Sequence, residues 1–440
     1  MRNYPSIGIQ VPDLLLPSKD VDLTKWSVIA CDQFTSQPDY WENVKKIVGA
    51  SPSTLNLILP ELFLDKSQEN FLISQAQNKM KEYQRNQILI PHEGLVLVER
   101  ITQSGTRHGL LMSVDLEKYD YGKRSNSLIR ATEGTILERI PSRMRIREKA
   151  ELEIPHILLL IDDDENIVIE PIVQQIPHLT KLYDFELMLG SGHLKGYQVE
   201  NLELERGVKT SLEILAQPGH FHKKYKIPSN KEILLFAVGD GNHSLASAKA
   251  VWELRKKDIG MDHPLRYALV EVENIHDHGL YFRPIHRVLF SIQQPLINAL
   301  QDYFGDCIEI NEQETVSSVI TNVDQQAGKS QSFGIINSES STVVTIKNPI
   351  SNLVVGSLQG FLDDFLAKGG AERIDYIHGK ETLVKISQQP KNSGFYLPAM
   401  PKNELFRTVI LNGVLPRKTF SMGEARDKRF YLECRKIQDL

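Results

Sequence analysis

The sequence predicts a mixed α+β (α/β) fold with more than one sheet. Three observations lead there. Short apolar runs of strand length mix with longer stretches whose apolar residues recur at helical spacing, without strict alternation. Apolar residues make up 41% and charged residues 24% of the 440, an ordinary globular mix that can bury a full core. No linker rich in Gly, Ser or Pro divides the chain, and no internal repeat runs through it.

Taken in order, Trp26 to Cys31 reads as a strand. Lys66 to Asn86 reads as a helix, with Leu72, Ala76, Met80 and Tyr83 on one face. Gly94 to Ile101 and His108 to Leu116 are apolar runs, and Ser104-Gly105 in the link between them predicts a hairpin. Ile157 to Ile161 and Asn166 to Glu170 suggest a second hairpin. Its turn would be the acidic run Asp162-Asp163-Asp164-Glu165, read as solvated because no spaced calcium-loop pattern follows. Ile233 to Gly239 reads as a buried strand. Leu245 to Lys257 follows as a helix with Leu245, Ala248, Val251, Trp252 and Leu254 on its apolar side. Arg266 to Val272 is a further strand. Beyond Leu289 come a helix (Pro295 to Phe304), a strand (Cys307 to Ile310), a helix (Val316 to Ala327), two strands (Phe333 to Ile336, Val343 to Ile346) and a helix (Leu358 to Lys368). The expected division is 1–290 as an N-terminal and central region, 291–370 as a smaller α/β subdomain, and 371–440 as a segment packing back on the main body.

Composition narrows the function classes. Fifty-one Lys and Arg face 56 Asp and Glu, a net charge of −5, and the pI is near 6.3. Such a balance carries no global footprint for nucleic acid or an anionic membrane. The longest purely apolar run, Ile233 to Val238, has six residues, where a membrane helix needs about 20. Met1-Arg2-Asn3-Tyr4-Pro5 has no apolar signal-peptide core, and Cys31, Cys307 and Cys434 form neither a disulfide framework nor a zinc spacing. The expectation is a soluble, reduced, cytoplasmic protein with no nucleic-acid or membrane partner.

The sharpest chemical signal is strand, then Asp240-Gly241-Asn242-His243-Ser244, then helix. Gly241 can turn sharply and lets a ligand approach the backbone. The first amides of a helix have no intrahelical partner and lie at the positive end of its dipole, which suits a phosphate. His243 would sit at the mouth, as hydrogen-bond donor or proton carrier near pH 7. Asp240 could orient it, bind a metal or accept a hydroxyl proton. The plainer alternative is that Asp240 or Asn242 caps the helix. A full phosphate-loop motif is absent.

Four other clusters are of interest. Arg130-Ala131-Thr132-Glu133-Gly134-Thr135, followed by Arg139, Arg143, Arg145 and Arg147, offers hydroxyls, a carboxylate and guanidiniums that could clamp a phosphate. For Arg143, Arg145 and Arg147 a solvated surface is the simpler reading. His286-Arg287 could reach an anion or form an edge pair. Asp32 and Gln33 follow the first strand, where open α/β sheets place ligands. Their neighbour Cys31 reads as a small buried hydrophobe rather than a nucleophile. Lys418, within Pro416 to Glu424, could cover a phosphate or belong to a basic loop.

The motifs Ala30 to Ser36, Arg130 to Pro141, Asp240 to Ser244, Pro284 to Arg287 and Leu415 to Glu424, in this order, resemble the bacterial and archaeal family labelled "domain of unknown function 1015". The likeness runs from about residue 8 to the C-terminus, and the label assigns no activity. The Asp-Gly-Asn-His-Ser turn is similar to the Asp-Gly-His-His-Arg turn of other branches. That turn in its own right resembles the strand–turn–helix core of the ParB/sulfiredoxin-like nucleotide-binding fold. The resemblance implies that Gly241, Asn242, His243 and Ser244 contact phosphate, with ADP or ATP and Mg²⁺ as the implied cofactors. Sulfiredoxins carry Gly-Cys-His-Arg at this turn. Here Asn242 stands in the place of the nucleophilic cysteine, so sulfinic-acid reduction loses its thiol. Ser244 replaces the arginine, a charge that Arg130, Arg139 or Arg287 would have to supply.

Some relatives of that fold phosphorylate free serine, and family members tend to be encoded beside serine-pathway enzymes. The resemblance therefore implies phosphoryl transfer on a small metabolite such as serine or phosphoserine, by a kinase or a phosphatase, with a phosphate-bearing small molecule as ligand. In that reading His243, Asp240 and Glu133 handle protons or metal, and Gly241, Asn242, Ser244, Arg130, Arg139, Thr132, His286, Arg287, Asp32, Gln33 and Lys418 hold the ligand. The alternatives are a non-catalytic nucleotide or metabolite sensor and a ParB-like DNA-associated regulator, for which no helix-turn-helix is found.

Overall fold

The computed structural model describes residues 2–64, 66–349 and 351–438. Its helices and mixed sheets form an α+β architecture. The chain divides into two units: 1–281 with 423–440, and 282–422. The expected cuts at 290 and 370 instead fall within the second unit, and the expected segment 371–440 is shared between the two. The error has a simple origin: strand Phe282–Ile292 begins the second unit without any linker composition to announce it.

The first unit is built on an eleven-stranded sheet. Its centre runs Leu95–Thr102, Gly105–Asp115, Tyr267–Asn274, Leu158–Ile161, Phe236–Asp240, Ile129–Ala131. The first two strands form the predicted hairpin, with Thr102 opposite Gly105. The second predicted hairpin does not form. Leu158–Ile161 pairs with Tyr267–Asn274 and Phe236–Asp240 instead. The acidic run is a solvated turn only at Asp164 and Glu165, which are exposed; Asp162 and Asp163 are buried. Asp162 Oδ1 lies 2.7 Å from His276 Nε2 and 3.0 Å from Lys224 Nζ, and Asp163 Oδ2 accepts the Val168 amide at 2.8 Å. Paired carboxylates can be buried where lone ones cannot.

Trp26 to Cys31 is not a strand. Helix Leu23–Trp26 ends there, and Ile29 makes only an isolated bridge to Phe430. The expected long helix runs Glu69–Arg85, with Ala76, Met80 and Tyr83 buried. The second unit holds a seven-stranded sheet with helices Leu296–Phe304, Val316–Gln326 and Val354–Ala367. Strands Gln331–Ile336 and Ser341–Ile346 form an antiparallel pair in it.

Candidate functional site

Strand direction assembles one edge of the first unit. Phe236–Asp240 and Ile129–Ala131 are parallel, so the loops following both leave at the same edge. Leu158–Ile161 is antiparallel to Phe236–Asp240, with Leu158 opposite Asp240, so its lead-in, Pro155 to Ile157, arrives there. Helix Asn242–Ile259 opens directly from this edge. Leu245, Ala248, Val251 and Trp252 are buried as predicted, while Leu254 is exposed.

Gly241 is the helix N-cap at φ 78°, and no side chain caps the helix. A Cβ there would lie 3.0 Å from Ile157 Cα. Asp240 therefore does not cap. Its Oδ1 accepts the Gly241 amide at 2.9 Å, and its Oδ2 lies 3.0 Å from Lys428 Nζ. Burial pushes the Asp240 carboxyl up, but Lys428 outweighs burial, with help from His156 and the Gly241 amide, and holds the group below its ordinary range. An ionised carboxylate spent on a lysine is a poor general base. Among the described residues, no group of three or more His, Cys, Asp or Glu is arranged to hold a metal.

The loop after Ile129–Ala131 reaches back to the helix. The Ile136 amide donates to His243 Nε2 at 3.2 Å, which places the proton of a neutral imidazole on Nδ1. Two buried polar atoms of these facing loops, Asn242 Oδ1 and Thr135 Oγ1, have no hydrogen-bond partner. Glu133 is half-buried in the loop, and Arg139 is exposed just beyond it. Arg130 does not serve the site. Its Nε donates to the Ser127 carbonyl at 2.7 Å, and its Nη2 to those of Glu232 and Ile233 at 2.8 and 3.1 Å. Burial lowers this guanidinium to about 10. Thr132 is likewise spent, its Oγ1 donating to the Val238 carbonyl at 2.6 Å.

Ser244 does more than lie in the first turn. Its Oγ is 2.9 Å from His156 Nε2, and His156 Nδ1 is 3.0 Å from the Tyr431 hydroxyl. That hydroxyl also accepts the Cys31 amide at 3.3 Å. Burial pushes both the Tyr431 hydroxyl and the Cys31 thiol well up, so each stays protonated. Gln33 Nε2 donates to Asp32 Oδ1 at 3.1 Å, a local pairing. His156, Lys428 and Tyr431 escaped the sequence reading because no local motif marks them. They reach the edge only through strand pairing and the Ile29–Phe430 bridge.

His286, Arg287 and Lys418 belong to the second unit. His286 is buried, stacked on Tyr396 at 4.7 Å, and accepts the Leu397 amide at 3.2 Å through Nδ1. Burial lowers it to about 4, so it is neutral and structural. Arg287 is fully buried against the Arg417 carbonyl at 2.9 Å, the Ile285 carbonyl, and Gln359. Neither is presented to an outside anion. Lys418 is exposed at φ 54°.

Residues 15–365 match the model of the family described as protein of unknown function (DUF1015), and the chain belongs to that family. No curated protein matches it. Among solved structures, a conserved hypothetical protein from Pyrococcus furiosus aligns over 73% of this chain and 90% of its own, at 12% identity and a TM-score of 0.34. Free serine kinase in complex with AMP aligns over 74% and 92%, at 10% identity and a TM-score of 0.36. A mutant of free serine kinase in complex with ADP covers the same shares at 11% and 0.38. No helix of the described residues is long and apolar enough to cross a membrane.

Proposed function

We propose that the edge around Gly241 binds the phosphate of a small metabolite or nucleotide and transfers a phosphoryl group. One observation carries this reading: a long helix starts directly from a buried strand on a left-handed glycine, and no side chain caps it. Amides so placed complement a phosphate by hydrogen bonding and by dipole. Asn242 to Ser244 would hold the phosphate, of ADP or ATP where the ligand is a nucleotide, with His243 fixed beside it by the Ile136 amide. Glu133 and Arg139, on and just beyond the same loop, are the carboxylate and guanidinium we assign to the reacting edge. Proton handling falls to Ser244 and His156 rather than to Asp240, which is committed to Lys428. Phosphoryl transfer is mostly positioning plus electrostatics, so few groups need move. Serine and phosphoserine are the substrates to which the family resemblance points.

The test is thermal unfolding with ADP, ATP, CTP and phosphoserine, followed by product analysis. A ligand at about 100 times its dissociation constant adds roughly 2.7 kcal/mol. His243→Ala removes a hydrogen-bond donor beside the phosphate and is expected to lower turnover by about 10²–10³-fold with the fold intact. If none of these compounds shifts the transition, the reading fails. A shift without turnover would make the protein a binding module.

A further inference from the structure

Ser244 and His156 also border a cavity of about 140 Å³ within the first unit. Its walls are mostly carbon, from residues including Leu59, Met80 and Ile146. The polar lining comprises Cys31, Ser244, Ser247, His156, Tyr431 and two ion pairs, Glu61–Arg143 and Glu153–Arg147. An engineered cavity of about 150 Å³ takes up benzene, so this one suits a body of about six to eight non-hydrogen atoms. Ser244 lies in the first turn of the helix, two residues after Asn242. It therefore stands where the cavity meets the amides assigned above to phosphate.

We propose that this cavity binds the apolar body of a small alcohol, with its hydroxyl against Ser244 Oγ, as the phosphoryl acceptor. The assignment rests on the phosphoryl-transfer reading and narrows its substrate. The donor is a phosphoanhydride such as a nucleoside triphosphate. The alcohol oxygen forms the new O–P bond while the bridging P–O bond of the anhydride breaks, and the leaving nucleoside diphosphate keeps that electron pair. The alcohol proton passes to Ser244 Oγ as the Ser244 proton moves to His156 Nε2, and it leaves to solvent with the products. His156 can accept it in the tautomer whose Nδ1–H donates to the Tyr431 oxygen, 3.0 Å away.

The experiment uses the full chain and two probes separately. Cyclohexanol is followed by saturation-transfer NMR and inorganic pyrophosphate by calorimetry. Both are expected to bind. Ile146→Trp, which fills the cavity, is expected to weaken cyclohexanol about tenfold or more while leaving pyrophosphate within about twofold. Leu59→Phe serves the same purpose if the tryptophan variant does not fold. His156→Gln is expected to keep both binding events. It should also lower the rate of transfer by about 10²-fold or more. Pyrophosphate binding without cyclohexanol binding would overturn the cavity assignment and leave the phosphate reading standing. Cyclohexanol binding without pyrophosphate binding would overturn the phosphate reading and the acceptor role with it. L-serine binding more tightly than cyclohexanol would overturn the substrate class.

Discussion

Gly241 meets two separate demands. Its φ of 78° is left-handed, and Ile157 occupies the space a side chain would need. Gly241→Ala is therefore expected to cost about 1–3 kcal/mol. Phosphate binding should weaken with it, because the first amides move, and calorimetry on the folded variant would show this. Lys428 offers a second test. Because Asp240 is held below the ordinary carboxylate range, its pairing contributes stability above the unfolded value. That contribution is lost as pH falls through the lower folded value. Lys428→Met leaves the half-buried carboxylate alone. The expected outcome is a loss of about 1–3 kcal/mol at pH 7, shrinking in acid as Asp240 protonates. Denaturant titrations of both proteins at pH 7 and pH 3 would check it.

At the level of elements, Arg130 ties strand Ile129–Ala131 to the lead-in of strand Phe236–Asp240 through the Glu232 and Ile233 carbonyls, and binds the Ser127 carbonyl of its own approach. Arg130→Met leaves those acceptors buried without a donor. The expected loss is about 2–4 kcal/mol, with ligand affinity unchanged in the fraction that folds. If affinity collapsed while stability held, Arg130 would be a ligand group after all. The same residue shows what the sequence could and could not tell. The strand, turn and helix from Ile233 to Lys257 were legible because buried-strand composition, a glycine and helical periodicity occur together there. Which arginine faces a ligand was not legible. Charge content is visible in a sequence, but the backbone carbonyls that absorb a guanidinium are not. Trp26 to Cys31 misled for a related reason: apolar residues of strand type lie there under the core, without a ladder to join.

For the whole molecule, the division into units was the least legible feature, since the chain changes unit inside ordinary strand sequence at Tyr281 and Met422. His286 gives the second unit an acid sensitivity of its own. Its folded value, about 4, lies below the ~6.5 of an unfolded histidine. The unfolded chain thus takes up a proton first as pH falls. Stability is present above about 6.5 and is lost progressively toward about 4, by on the order of 3 kcal/mol. His286→Gln, which does not titrate, is expected to flatten that part of the pH profile in urea titrations between pH 7 and 4.

The chain departs from the first unit after Tyr281 and rejoins it at Gly423. The Gly423 amide donates to the Tyr281 carbonyl at 3.3 Å, so the cut ends of the first unit lie side by side. Residues 282–422 are thus inserted between two adjacent points of the first unit. A graft of a few flexible residues across that gap would close the host without stretching it, and another domain with neighbouring termini could be spliced in its place.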